Sequence, residues 1–486
     1  MDSIRPVLAV LARVLAGFSV AFLVPLAWAT ALDEALHVQV WAGSAALTLL
    51  SAWALWRASR SAQRELQPKD GFLLVTLVWV VLPAYSAVPL LFTVPGLGWT
   101  QAYFEAMSGI TATGATALVG LDHLPVSVNV WRCFLQFVGG LGIILLVVAV
   151  LPMLGLGGMQ LYRAETPGPL KDARLTPRIS QTARGLWTVY FALSLACFLC
   201  YRWAGMDWTD AFLHMCGTMG LGGFSSHDRS FAHWDSAAIE GVAIVFMTLS
   251  GISFARYYVV WRNRSAMVLA RDTEVRAYLA VLLGAVVLVS MLLFLHGTYD
   301  SYPAALRAAA FQVVSLATTT GYASTDYTQW PVFAPVLLIF LGCFVSCAGS
   351  TGGGIKMVRM LLLVKQARRE LVRIIHPRVV NPVTLGGAAV PASVIAAVLA
   401  FMLIYGASTV GLTMLMLLSG MELVTAFSAV IGCLNNIGPG LGEVGPAGNF
   451  SALTPFQLWI CTFARMLGRL ELLSVLVLFT GQFWRK

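Results

Sequence analysis

This sequence reads as an all-α polytopic membrane protein: four pseudo-symmetric helix–pore loop–helix repeats around a central pore, plus two leading transmembrane helices. Composition gives the first reason. The 486 residues are 58% hydrophobic and 11% charged, with mean hydropathy +0.80. A soluble domain carries about 25% charged residues, so most of this surface must face lipid. Length gives the second, because apolar runs of about 20 residues, enough to cross a bilayer as helix, recur along the whole chain. The third is a repeat. Thr111-Ala112-Thr113-Gly114-Ala115, Gly220-Leu221-Gly222-Gly223-Phe224, Thr319-Thr320-Gly321-Tyr322 and Asn435-Asn436-Ile437-Gly438-Pro439 look like copies of one stretch. Taking Gly114, Gly222, Gly321 and Gly438 as their centres, the intervals are 108, 99 and 117 residues.

Ten spans follow from the apolar runs. Two lead, at 7–30 and 40–57, and four pairs follow: 71–92 with 130–152, 186–205 with 235–260, 277–297 with 332–364, and 390–418 with 455–480. Between the members of each pair lies a half-length helix and then the glycine loop; the half-helices are expected at 99–111, 208–219, 302–317 and 420–433. The chain thus divides into leading helices at 1–70 and repeats at 71–155, 156–262, 263–380 and 381–486. The first run follows basic residues, exceeds the length of a signal h-region and lacks a small-x-small cleavage site, so it reads as a retained helix.

The net charge of +9 is no sign of nucleic-acid binding here, because the basic residues sit between spans. Arg57, Arg60, Arg64 and Lys69 share one loop, and Arg163, Lys171, Arg174, Arg178 and Arg184 the next on that side. Arg262, Arg264, Arg271 and Arg276 form a third, Lys365, Arg368, Arg369, Arg373 and Arg378 a fourth, and Arg485 and Lys486 close the chain. With ten spans these fall on one side, which the positive-inside rule makes cytoplasmic, together with both termini. The opposite face carries Asp33, Glu34, Asp122, Asp207, Asp210, Asp228, Asp235, Asp300, Asp326 and Glu443. All four glycine loops open toward that acidic face, which concentrates cations and repels anions.

A dehydrated cation needs oxygen ligands in place of its water, and rings of backbone carbonyls from four loops supply them. Turning carbonyls inward takes backbone angles that glycine tolerates. Irregular backbone at membrane depth is permitted where it lines a cavity or is buried in protein. Each half-helix also aims its partly negative C-terminus at the loop. The copies are unequal, and only the third reads Thr-Thr-Gly-Tyr.

These residues resemble the membrane subunits of the Trk/Ktr/HKT superfamily over the whole chain, leading helices included. The resemblance rests on Phe104-Glu105-Ala106-Met107-Ser108, on Gly222 through Asp228, on Thr318 through Tyr322, on Gly349 through Lys356, on Asn436 through Pro439, and on Gly468-Arg469-Leu470-Glu471. It implies potassium uptake across a bacterial inner membrane, with potassium as substrate and no cofactor in this chain. It carries the potassium-binding positions onto Thr113, Gly114, Leu221, Gly222, Thr320, Gly321, Ile437 and Gly438. Thr111, Ala112, Gly220, Thr319, Asn435 and Asn436 flank them. One departure is visible: the second loop usually reads Ser-Thr-Gly-Gly-Phe, and Gly220 and Leu221 here remove both hydroxyls. The resemblance also implies a homodimer and a separate cytosolic, TrkA-like nucleotide-binding subunit, which the basic loops are placed to dock.

Gly349, Ser350, Thr351, Gly352, Gly353 and Gly354, followed by Lys356, interrupt the 332–364 span. Each mid-helix glycine costs about 1 kcal/mol relative to alanine, so the helix breaks there, either as a packing kink or as a mobile segment crossing the pore. The resemblance implies the gate. A P-loop is excluded because Ile355 separates Gly354 from Lys356 and no strand precedes it. Arg469 and Glu471 lie inside the last span, where ionisable residues are functional suspects. Arg469 either repels cations near the filter, braces the gate segment, or pairs with Glu471 or Glu105. Glu105 and Glu422 read as anchors of the half-helices. His227, Asp228 and His233 lack metal-ligand spacing and read as solvated loop residues, and the cysteines, Cys197 and Cys200 included, as packing thiols. The competing reading is a cation-coupled secondary transporter, whose inverted repeats and mid-span carboxylates are not evident. No His-Glu-x-x-His, G-x-S-x-G or facing aspartate pair points to an enzyme. Passive and proton-coupled flux both fit these features.

Overall fold

The computed structural model describes residues 4–60, 67–145 and 179–485. Arg64, Arg163, Lys171, Arg174, Arg178, Lys486, the end of the 130–152 span and the boundary between the first two repeats lie outside the described residues. The described chain is all-α, with one two-residue antiparallel ladder, Thr384–Leu385 against Ala388–Ala389, closed by the left-handed glycines Gly386 and Gly387.

Seven described helices are long and apolar enough to cross a membrane: Arg5–Ala31, Ala35–Ser59, Lys69–Thr93, Val126–Ile144, Ala183–Ala204, Thr273–Leu295 and Ala392–Leu418. Most of them bury only a quarter to two-fifths of their apolar window, as lipid-facing helices do, whereas Val126–Ile144 buries 78%. That inner helix carries Trp131, stacked on Phe22 at 4.5 Å and donating to Ser86 O at 3.0 Å, which ties the leading helices to the first repeat.

The remaining three spans are broken. The 332–364 span is a helix at Phe333–Phe344, an irregular segment, then a helix at Met357–Ile375. The 235–260 and 455–480 spans were expected to be continuous and are not. The former is Ala237–Ser250 and Phe254–Asn263, bent by 86°. The latter stops at Arg469 and resumes at Leu473 after Glu471 (φ +56°) and Leu472 (φ +47°). The bend at 251–253 survives because its freed backbone groups find partners in the other break: Cys347 N–H donates to Gly251 O at 3.0 Å, and Phe254 N–H to Gly349 O at 3.1 Å. Buried polar backbone needs such partners.

The four half-length helices are Trp99–Ile110, Trp208–Gly220, Tyr302–Ala317 and Leu423–Leu434. Each starts on a local signal. Gln101 accepts from Gly98 N–H, Asp207 from Asp210 N–H, and Glu422 from Thr425 N–H, while Pro303 occupies the first turn of the third. Their C-terminal halves are buried, so the loops that follow begin inside the protein.

Candidate functional site

Each half-helix ends the same way. The N–H of Thr113, Gly222, Thr320 and Ile437 donates five residues back, to Ser108, Gly217, Ser315 and Gly432. The residue before each has a left-handed φ: Ala112 +49°, Leu221 +52°, Thr319 +65°, Asn436 +55°. The residue after each is a left-handed glycine: Gly114 +85°, Gly223 +75°, Gly321 +85°, Gly438 +96°. This corrects the expected register of the second loop. Gly222 occupies the position of Thr113, and Gly223, not Gly222, is the counterpart of Gly114, Gly321 and Gly438. Leu221 accordingly matches the flanking positions Ala112, Thr319 and Asn436. In a Gly-Gly pair only the backbone turn decides which glycine takes the left-handed angle.

The four turns close into a ring. A Cβ added to Gly114 would stand 2.2 Å from Gly222 O, and one on Gly223 2.0 Å from Thr320 O. One on Gly321 would stand 2.0 Å from Ile437 O, and one on Gly438 2.5 Å from Thr113 O. Each glycine thus abuts the carbonyl of the next repeat, and the order 1, 2, 3, 4 returns to 1. Thr113 and Thr320 lie on opposite sides of this ring, as do Gly222 and Ile437. Hydroxyls follow the same two-fold pattern: Thr111 and Thr113 Oγ1 are 2.7 Å apart, as are those of Thr318 and Thr320, and the second and fourth loops have none there. Above the ring opens a cavity of about 90 Å³ whose lining includes Gly114, Gly223, Gly321, Pro439, His227 and Asp228.

Polar residues inside the spans hold the loops, and the sequence reading passed over most of them. Gln136 donates to Gly222 O at 2.6 Å and accepts from Phe224 N–H at 3.1 Å. Arg465 donates to Phe104 O and lies 3.8 Å over the Phe104 ring. Arg132 Nε meets Glu105 Oε1 at 2.7 Å, with the two side chains 1% and 0% exposed, and Glu105 also accepts from the Thr116 hydroxyl and from Ala117 N–H. Glu105 therefore anchors its half-helix to the loop beyond it, and Glu422 caps its own. The available signal was a charged or amide side chain in an otherwise apolar run. Glu105→Gln leaves the Arg132 charge uncompensated, which in a buried pair costs about 3–5 kcal/mol. The expected result is a clear loss of thermal stability in detergent; an unchanged melting temperature would show that the pair holds nothing.

The 349–354 segment lies under three of the four turns. Thr351 Oγ1 donates to Met219 O at 3.0 Å, Gly353 N–H to Thr319 Oγ1 at 2.8 Å, and a Cβ on Gly353 would stand 2.0 Å from Asn435 O. Gly349 and Gly354 take left-handed angles, and Lys356 Nζ donates back to Gly352 O. Glu274 clamps the ends, accepting from Ala348 N–H at 2.7 Å and Val358 N–H at 3.3 Å. Ser350 turns onto Cys347 O. Arg469 donates to Thr351 O at 2.9 Å and to Gly139 O at 3.2 Å. Neither carboxylate considered for it is its partner: Glu471 pairs with Arg359 at 2.5 Å, and Glu105 with Arg132.

At the mouth, His227 is half-buried rather than freely solvated. Burial disfavours its charged ring, but Asp210 and Asp122 outweigh that and hold its pKa above the usual value. Asp122 comes from the first repeat, 105 residues away. All eight cysteines are free.

Comparison with known proteins agrees with this architecture. The model of the TrkH family, described as cation transport protein, matches residues 36–486. The potassium uptake protein TrkH of Salmonella typhimurium is 45% identical over 433 residues, 89% of each chain. That of Halomonas elongata is 42% identical over 490 residues, covering both chains fully. The crystal structure of the potassium transporter TrkH from Vibrio parahaemolyticus superimposes with a TM-score of 0.92 at 38% identity, over 99% of both chains. A shared fold, a family model over residues 36–486 and identity above 40% along the full length have one reading: this chain belongs to the TrkH family of cation transport proteins.

Proposed function

We propose that this chain takes up potassium across the bacterial inner membrane through the four-loop ring, whose carbonyls at Thr113, Gly222, Thr320 and Ile437 replace the ion's water, and that the 349–354 segment gates it. The observation that carries the reading is the closed cycle of glycine against neighbouring carbonyl. Four loops from one chain meet in cyclic order with the same backbone turn, which is the arrangement a central ion path needs. Opposed threonine pairs at two of the four positions make the ring two-fold in its hydroxyl chemistry. The 349–354 segment blocks the path below, held by Arg469 and Lys356.

In this reading both termini and the helix Met357–Ile375 face the cytoplasm. That helix, with Lys365, Arg368, Arg369 and Arg373, meets a TrkA-like nucleotide-binding subunit, and two copies of the chain form the membrane unit. The test is potassium and sodium flux into liposomes holding the purified protein, with and without that subunit. Potassium flux exceeding sodium flux is expected, rising when the subunit is added. Absence of cation flux under both conditions would overturn the proposal.

A further inference from the structure

We propose that the mouth of the ring carries a site for a borderline transition-metal dication of the zinc class, built from Asp122, His227 and His233, and that an ion bound there impedes cation entry. One ligand atom from each of the three lies within 4.8 Å of the others. Around a single ion with metal–ligand distances near 2.0–2.2 Å, tetrahedral donors sit about 3.3 Å apart. Asp122 Oδ1 and His227 Nδ1 are already in direct contact and part slightly to admit the ion, while His233 closes in; Asp122 and His233 are exposed enough to make these rotations.

The groups behind these ligands are already in place. A metal-binding histidine characteristically donates its second ring N–H to a carboxylate. His227 is placed to do this: Nε2 lies 3.2 Å from Asp210 Oδ2, while Nδ1, which faces Asp122, gives up its proton when the ion binds. Asp210 is itself oriented by Ser226 Oγ, which donates to Oδ1 at 2.7 Å. Asp122 is oriented too, since Asp228 N–H donates to Oδ2 at 3.1 Å and leaves Oδ1 toward His227. The third ligand is stacked on the second, the His227 and His233 rings lying parallel with centroids 3.6 Å apart, and Trp234 packs edge-on against both. Imidazole lone pairs lie in the ring plane, so two stacked rings do not meet at one ion, and His233 turns about its Cβ–Cγ bond to converge on it. Two imidazoles and a carboxylate select zinc-class ions over magnesium or calcium, which prefer oxygen-only sets.

The effect on flux rests on the pore reading; the binding does not. His227 and Asp228 line the cavity above Gly114, Gly223 and Gly321. Two added positive charges there oppose the acidic field that concentrates cations. The ion also ties the loop of Asp122 to the loop of His227 and His233, joining two repeats.

The experiment uses the tag-free, full-length protein in detergent. Zinc binding is measured by calorimetry, and cobalt substitution reports the ligand field. Wild type is expected to bind one zinc ion per chain, with a tetrahedral cobalt spectrum. His233→Ala and Asp122→Asn are each expected to weaken binding at least tenfold, and magnesium is expected not to compete. Wild type that binds no zinc, or variants that bind it equally well, would overturn the site whatever the flux shows. In liposomes, external zinc is expected to slow potassium entry in wild type and not in His233→Ala. Equal inhibition of both, or none in a wild type that binds zinc, would overturn the proposed effect on entry and leave the ring untouched.

Discussion

Gly223→Ala is expected to reduce potassium uptake about a hundredfold or more, while Gly222→Ala leaves a reduced but measurable rate. Gly223 sits at φ +75°, and an added Cβ would meet Thr320 O at 2.0 Å. Holding an L-residue at such an angle costs of order 1–3 kcal/mol. The contact is worse, because its partner is a backbone carbonyl in the ring itself and cannot rotate away. Relief comes only by displacing Thr320 O, one of the four proposed ion ligands, so strain and lost ligand geometry act together. At Gly222 the angle is not left-handed, and the added Cβ would meet Gln136 Cδ at 2.4 Å, a side chain that can swing aside. That move loosens the bond from Gln136 to Gly222 O, hence a partial loss. Gly321→Asp belongs with Gly223, since its Cβ would stand 2.0 Å from Ile437 O at φ +85°. Uptake is measured in cells lacking other potassium systems, against the amount of monodisperse protein in the membrane. If Gly222→Ala abolished uptake and Gly223→Ala did not, the register drawn from the backbone would be wrong.

The contrast between these two glycines also shows how far the sequence could be read. Hydropathy located the half-helices to within a few residues and most described spans to within about five, because lipid demands long apolar runs and the half-helices open on legible caps such as Asp207 and Glu422; it missed that the last helix of the 332–364 span runs on to Ile375, where basic residues end the apolar run but not the helix. The position of the second loop was legible too. Its register was not, since Gly222 and Gly223 are interchangeable in composition and differ only in φ and in the bond from Gly222 N–H to Gly217 O. The break after Arg469 was hidden for a related reason: Glu471 and Leu472 take left-handed angles that neither residue advertises. The bend at 251–253 was hidden because its stabilising partners, Cys347 and Gly349, lie about a hundred residues away. The same distance concealed the environment of His227, whose partner Asp122 belongs to another repeat. Arg132, Gln136 and Arg465 were legible as exceptions in apolar runs, but the side chains and carbonyls they serve follow only from the packing of the four repeats.

Arg469→Met is expected to raise the basal potassium leak at least tenfold without the cytosolic partner. Arg469 holds two carbonyls, Thr351 O in the segment below the ring and Gly139 O in the first repeat, and its side chain is buried. Hydrogen bonds to charged groups contribute about 1.5–3 kcal/mol each. If opening withdraws the segment from the axis, the bond to Thr351 exists only in the closed state, and losing it alone shifts the equilibrium about tenfold or more. Removing the positive charge beneath the ring also lowers the barrier to a cation, so both effects have one sign. Arg469→Lys separates them, because it keeps the charge and loses the two-pronged reach. A leak in Met but not in Lys assigns the barrier to charge; a leak in both assigns it to the brace. Gly353→Ala supplies an independent arm. Its Cβ would meet Asn435 O at 2.0 Å, again immovable backbone, and the segment must retreat from the fourth turn. This substitution leaves Arg469 and its charge untouched, so a leak here requires that the segment itself closes the path. Leak at the wild-type level in both Arg469→Met and Gly353→Ala, with folded protein in the liposomes, would remove the gate from this segment and return its glycines to a packing role.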